Sequence, residues 1–223
     1  MNRALFKRAI TRFSAGLLLF GCLLFIPAGS WNYPQGWLLT GILFVPMFIA
    51  GLVMMKKNTE LLRKRLSVKE EESEQRQVIL YSGIMFLCAF ISAGLSFRFD
   101  LLMLPFHVSI IAAFIFLAAY ALYAEVLREN TYLSRTIEVQ EDQKVIDTGL
   151  YGIVRHPMYM VTVILFLAMP LVLGSLISFV IMLSYIPIIV KRIRNEEQVL
   201  AAGLPGYTEY MEKVKYRLIP FIW

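Results

Sequence analysis

Long apolar runs separated by short polar stretches set the plan of the chain. Residues 13–26, 37–55, 78–97 and 101–127 are each dominated by Leu, Ile, Phe, Val, Ala and Gly. A membrane-crossing helix needs about 20 mostly apolar residues, so these runs predict four spans. Residues 158–190 form a longer apolar stretch, too long for one upright span. Pro170 and Gly174 interrupt it near its middle, which predicts two helices, Met158 to Leu171 and Ser175 to Val190, joined as a hairpin. Pro46 within the second run predicts a kink that neighbouring helices accommodate. The expected fold class is all-α, a polytopic transmembrane bundle of five to six membrane helices.

The polar intervals differ in character. Residues 56–77 hold seven Lys and Arg with Leu61, Leu62, Leu66 and Val68 among them. That pattern fits a helix lying in the interface with its basic stems snorkelling, and equally a solvated connector. Residues 128–157 form a polar, glycine-containing loop, and residues 191–223 alternate charges with aromatics, as expected of a helix leaving the membrane and a short amphipathic cap. The domain plan expected is a four-span region over 1–127 and a catalytic region over 128–223, formed by the loop, the hairpin 158–190 and the tail.

Composition agrees: 58% of the 223 residues are hydrophobic and only 17% charged, well away from soluble averages. The net charge of +6 could signal nucleic acid, but its distribution assigns it to the membrane. Of 22 Lys and Arg, only Arg98 falls between spans on the opposite face. This bias predicts cytoplasmic N- and C-termini and cytoplasmic loops at 56–77 and 128–157. Trp31, Tyr33 and Trp37 then form an aromatic belt on the other side. The first apolar run resembles a signal sequence in part, but the alternation of basic loops works only with it retained. Cys22 and Cys88 both lie in apolar runs without ligand spacing, so neither a disulfide nor a metal site is expected.

Chemistry concentrates between Asp142 and Tyr159, DQKVIDTGLYGIVRHPMY, at the mouth of the fifth span. Pro157 suits the first position of a helix, whose early N–H groups lack partners and could receive an anion beside Arg155 and His156. The same two residues could equally be interface anchors beside a helix start. Beyond the last span, Arg192, Arg194, Glu196 and Glu197 stand at the rim. Arg192 and Glu196 at i,i+4 make a plain surface ion pair possible, whereas adjacent glutamates among arginines also suit a ligand with an ammonium and a carboxylate. Glu197 and His156 are expected at a solvent-facing mouth.

GLYGIVRHPMY, an apolar hairpin, RIRNEEQVL and GYTEYMEKVKYRLIP follow one another in order over about Gln140 to Pro220. In this the chain resembles the isoprenylcysteine carboxyl methyltransferase and phospholipid methyltransferase family. The resemblance implies an integral membrane enzyme that binds S-adenosylmethionine in a cytosolic pocket and methylates a lipophilic acceptor. It implies that Gln143, Lys144, Val145 and Ile146 line the cofactor with Tyr151 beside them, that His156, Pro157, Met158 and Tyr159 supply the turn that holds it, and that Glu197 binds its methionine moiety. Gln140 is the nearest equivalent of a glutamine that contributes in relatives. The family's substrate-handling arginine falls on Arg192 or Arg194, with Arg192 favoured. Arg192, Arg155, His156 and Glu196 are the candidates for the chemistry.

A carboxylate acceptor would need orientation by an arginine and no base; an amine would need a proton acceptor such as His156 or a glutamate. No glycine-rich loop after a strand is present, which excludes a soluble Rossmann methyltransferase. No nucleic acid or metal partner is expected; the partners are the bilayer and an acceptor that arrives from it. The compact plan suits a prokaryotic inner-membrane enzyme. Two other readings stand beside this one: a membrane NADPH-dependent, sterol-reductase-like enzyme, for whose phosphates the loop offers few cations, and a non-catalytic membrane scaffold.

Overall fold

A computed structural model describes residues 3–57, 59, 62–63, 73–130, 132, 139–140 and 142–223, without the side chains of 3 and 73–77. Its elements are α1 (Arg3–Ala28), α2 (Pro34–Lys57), α3 (Ser73–Phe99), α4 (Phe106–Glu129), a 3-10 turn (Gly149–Gly152), α5 (Pro157–Val172), α6 (Leu176–Met182), α7 (Tyr185–Gly203) and α8 (Tyr207–Lys213). Among the described residues every regular element is a helix, as expected. Leu61, Leu66 and Val68 of the expected interface helix lie outside the described residues, whereas Leu62 is buried.

Five helical segments are long and apolar enough to cross a membrane: Ala4–Ala28, Pro34–Lys57, Val78–Phe99, Phe106–Glu129 and the joined Leu176–Gly203. Large apolar side chains such as Leu18, Ile26, Val45 and Phe114 point outward from them. Such a belt is favourable only against lipid, and the chain is an integral membrane protein. The fifth expected span, α5, has 16 residues, about 24 Å at 1.5 Å each. It is shorter than a full crossing and lies against α4 and α6 inside the bundle.

Boundaries moved for local reasons. The second helix starts at Pro34 and runs through Pro46, since a proline at the first position removes an N–H that has no partner there. The fourth starts at Phe106 and not at Leu101, because the segment before Pro105 bonds elsewhere. Leu104 N–H donates to Gly174 O at 2.7 Å and Leu176 N–H to Leu102 O at 3.3 Å, so this loop staples the turn of the hairpin. Gly174 sits there at φ 71°, a conformation that glycine tolerates at no steric cost. Tyr33, fully buried, stacks on Phe97 at 4.1 Å and donates its hydroxyl to Leu173 O at 2.7 Å. It belongs to the interior and not to an interfacial belt, whereas Trp31 is exposed.

The helices of the bundle approach closely where small residues face one another. A Cβ added at Gly94 of α3 would lie 2.5 Å from Leu24 O of α1. Ala89 and Ala93, one turn apart on the same helix, are fully buried. This packing leaves the opposite end of the bundle, where α4 gives way to the polar loop and α7 to the tail, to form the site.

Candidate active site

Glu129, at the end of α4, begins the site. Its carboxylate accepts from Leu150 N–H at 3.1 Å and occupies the space beside Gly149, where a Cβ would fall 1.5 Å from Oε1. Gly149 also takes φ 53°, so glycine is required there twice over. The 3-10 turn that follows delivers Tyr151 to the interior and leads into Arg155 and His156. The N–H groups of these two residues donate to Tyr216 O and Arg217 O, each at 2.9 Å. The tail thus takes up the two amides that precede α5, which were expected to be open to an anion.

Behind this pairing lies an ion cluster. Glu197, 6% exposed, receives Arg155 Nε on Oε1 at 2.7 Å and Arg217 Nε on Oε2 at 2.7 Å, with His156 Nε2 3.3 Å from Oε1. Arg155 Nη1 also donates to Val214 O at 2.6 Å and Lys215 O at 3.1 Å. Loop, α7 and tail are clamped together by charges of which Glu197, Arg155 and His156 are almost completely withdrawn from solvent and Arg217 about a third exposed.

In front of the cluster opens a cleft. Its walls are Gln143 to Ile146 on one side, Tyr151, Arg155, His156, Met158 and Tyr159 at the back, and Arg192, Glu196 and Leu200 from α7. Leu204, Tyr207 and Tyr210 close it from the tail, and Asn130 and Tyr132 from the end of α4. Tyr159 connects two of the charges: its hydroxyl donates to Glu196 Oε2 and accepts from Arg192 Nε at 2.9 Å. Arg192 and Glu196 are thus joined through a tyrosine, more than a bare surface ion pair on one helix.

Among the described residues, the buried hydroxyls of Tyr151 and Tyr207 have no well-formed hydrogen bond; Asn130 lies beside the former. Burial pushes both phenols well above their usual range, and for Tyr207 the negative charges of Glu197 and Glu196 add to it. Both therefore stay protonated and can donate. A buried hydroxyl without a partner loses roughly 1–3 kcal/mol, which a ligand's polar atom in the cleft would recover.

Most of the residues singled out in the sequence meet here. Gln143, Lys144, Val145, Ile146, Tyr151, Arg155, His156, Met158, Tyr159, Arg192 and Glu196 all line the cleft. Lys144 is exposed at its edge. Three others stand outside it. Gln140 braces the loop, donating from Nε2 to Tyr132 O at 2.5 Å and from its N–H to Gln143 Oε1 at 2.9 Å. Pro157 is buried beneath the helix start.

Glu197 is not at a solvent-facing mouth: it is turned into the ion cluster, because on a helix the residue after Glu196 points about 100° away. Arg194 lies exposed on the outer face of α7. Asn130, Tyr132, Leu200, Leu204, Tyr207, Tyr210 and Arg217 were not among the expected site residues. The Tyr-x-x-Tyr spacing before Arg217 was the available signal for three of them.

A multi-pass membrane bundle with a cleft between a loop, a hairpin and a tail defines the class of protein. Residues 110–202 match the model of the Isoprenylcysteine carboxyl methyltransferase (ICMT) family, somewhat under half of the chain. On this match residues 110–202 are similar to a membrane methyltransferase family. It is also 32% identical over 91 residues to the Delta(14)-sterol reductase TM7SF2 of Mus musculus. That match covers 40% of this chain and 22% of the reductase.

Proposed function

We propose that the cleft binds S-adenosylmethionine and that the chain methylates a lipophilic acceptor carrying a carboxylate or an amine. The observation that carries the reading is the convergence of the loop, the start of α5 and one face of α7 on a single cleft with the buried, unpartnered Tyr207 hydroxyl in its wall. The family match over 110–202 supports it. The polar and apolar halves of the wall fit an amphiphilic cofactor: Val145, Ile146, Leu200 and Leu204 offer apolar surface, and the tyrosine hydroxyls, Arg192 and Glu196 offer donors and acceptors.

Bound there, the sulfonium supplies an already activated methyl group. The chain's own work is then orientation and exclusion of water. Tyr151 and Tyr207 donate to the ligand. Arg192, steadied by Tyr159, orients an anionic acceptor; with an amine acceptor, Glu196 takes the proton, directly or through the Tyr159 hydroxyl. Arg155 and Glu197 hold the wall and do not touch the reacting atoms.

The similarity to the sterol reductase favours a second reading, a nicotinamide-dependent reductase. The charge arrangement weighs against it. Nucleotide phosphates call for free guanidinium groups, and Arg155 and Arg217 are committed to Glu197. Titrating the detergent-purified protein with S-adenosylhomocysteine and NADPH in parallel separates the two. Saturable binding of S-adenosylhomocysteine with little change in Arg192→Ala, whose turnover falls, is the expected result. Binding of NADPH alone overturns the methyltransferase reading.

A further inference from the structure

The last residues of the chain form a compact turn that no part of the proposed chemistry uses. Leu218 N–H and Ile219 N–H both donate to Trp223 O, at 2.8 and 3.0 Å. Leu218 is buried, and Trp223 packs against the same apolar cluster. That cluster is made of membrane helices: Met85 and Ala89 of α3, Met182 of α6, Tyr185 and Ile189 of α7. Met85 lies seven residues inside the apolar segment that begins at Val78, about 10 Å along the helix. The turn therefore shares one apolar cluster with these spans and packs onto the bundle.

Its other face is apolar and uncovered. Phe221 is 86% exposed and Ile222 77%, the two highest values for large apolar side chains among the described residues, and Ile219 beside them is also exposed. Phe221 reaches this position through a backbone φ of 66°, a left-handed conformation unfavourable for a bulky residue. The ring of Tyr216 at 5.3 Å supports it from one side only. The neighbouring cations fit a lipid surface as well: Arg217 lies over the Trp223 ring at 5.4 Å, and Lys215 is exposed one turn away. An apolar tip, an aromatic flank and basic residues behind it are the ingredients of an interfacial anchor.

We infer that the turn Ile219–Trp223 inserts into the bilayer interface as a membrane-docking wedge, continuous with the lipid-facing belt of α3 and α7, and holds the tail that closes the cleft. Its occupant is lipid; a second copy of the chain or a soluble protein would be the alternatives. The inference concerns the tail's surroundings and stands whatever the cleft binds.

Single nitroxide labels test it on the full chain in lipid nanodiscs of mixed zwitterionic and anionic lipid. Cys22→Ala and Cys88→Ala remove the two native cysteines. Phe221→Cys, Ile222→Cys and, as aqueous reference, Lys215→Cys then each carry the label on an exposed position. At 221 and 222 the label should be readily reached by oxygen and protected from a water-soluble nickel chelate, while at 215 the preference reverses. Equal access of the chelate at 221 and 215 would mean a solvated turn and overturn the inference. Protection from both relaxers would mean a protein cover, with spin–spin broadening identifying a second copy, and would overturn it as well. In a separate arm, Phe221→Asp with Ile222→Asp should shift the label at position 219, introduced as Ile219→Cys, from the lipid to the aqueous pattern.

Discussion

Replacing Glu197 by Gln separates a wall-holding role from a ligand-binding one. The substitution leaves the Arg155 side chain, 6% exposed, without its anionic partner. Breaking a buried pair by removing one member costs about 3–5 kcal/mol. The amide oxygen of Gln and the carbonyls of Val214 and Lys215 remain as acceptors for Arg155, which reduces the loss to about 2–3 kcal/mol. Arg217, about a third exposed, adds only a few tenths. A loss of about 2.5 kcal/mol is a factor of about 70 in the opening equilibrium.

The opening should be local, because the clamp joins the tail to the loop. The amides of Arg155 and His156 report it directly, since each donates to a tail carbonyl. Hydrogen exchange at these two amides should accelerate by about 70-fold in Glu197→Gln, with affinity for S-adenosylhomocysteine falling as the wall loosens. Glu196→Gln should leave the same amides protected and reduce turnover. If Glu197→Gln kept full protection and melting temperature yet lost the ligand, the carboxylate would meet the ligand itself and the clamp argument would fail.

Two further outcomes follow from particular contacts. Tyr207→Phe removes a buried hydroxyl that has no partner among the described residues, so the ligand-free protein should melt at the same temperature or slightly higher, while ligand affinity falls by about 1 kcal/mol, roughly fivefold; calorimetry alongside thermal melting checks both, and an unchanged affinity would remove Tyr207 from the site. Gly149→Ala forces a methyl group against the Glu129 carboxylate at a φ of 53° and should destabilise the loop by about 1–3 kcal/mol, with Glu129→Ala in the same chain relieving the steric part.

The sequence by itself determined the membrane class and the all-helical fold, because apolar run length reports directly on the solvent that a helix must face; the second arm of the hairpin, expected as one helix over Ser175 to Val190, is broken into α6 and α7. It also brought Gln143 to Ile146, Tyr151, Met158, Tyr159, Arg192 and Glu196 forward as site candidates, in large part through the family resemblance of their motifs. What it could not determine was which of two adjacent glutamates faces the cleft. That depends on the rotation of α7 about its axis, which is fixed by the packing of Ile189 and Ile193 in the interior and by the pull of Arg155 and Arg217 on Glu197.

The tail was expected to help form the site, but where its residues dock was not legible. Tyr207, Tyr210 and Arg217 are distant in sequence from the loop they close, and a short helix with no apolar run gives no signal of where it docks. Only the tertiary structure brings Tyr210 Oη to Tyr151 O at 2.7 Å and Arg217 to Glu197. Contacts of this kind join segments about 60 and 20 residues apart, and no local periodicity encodes them.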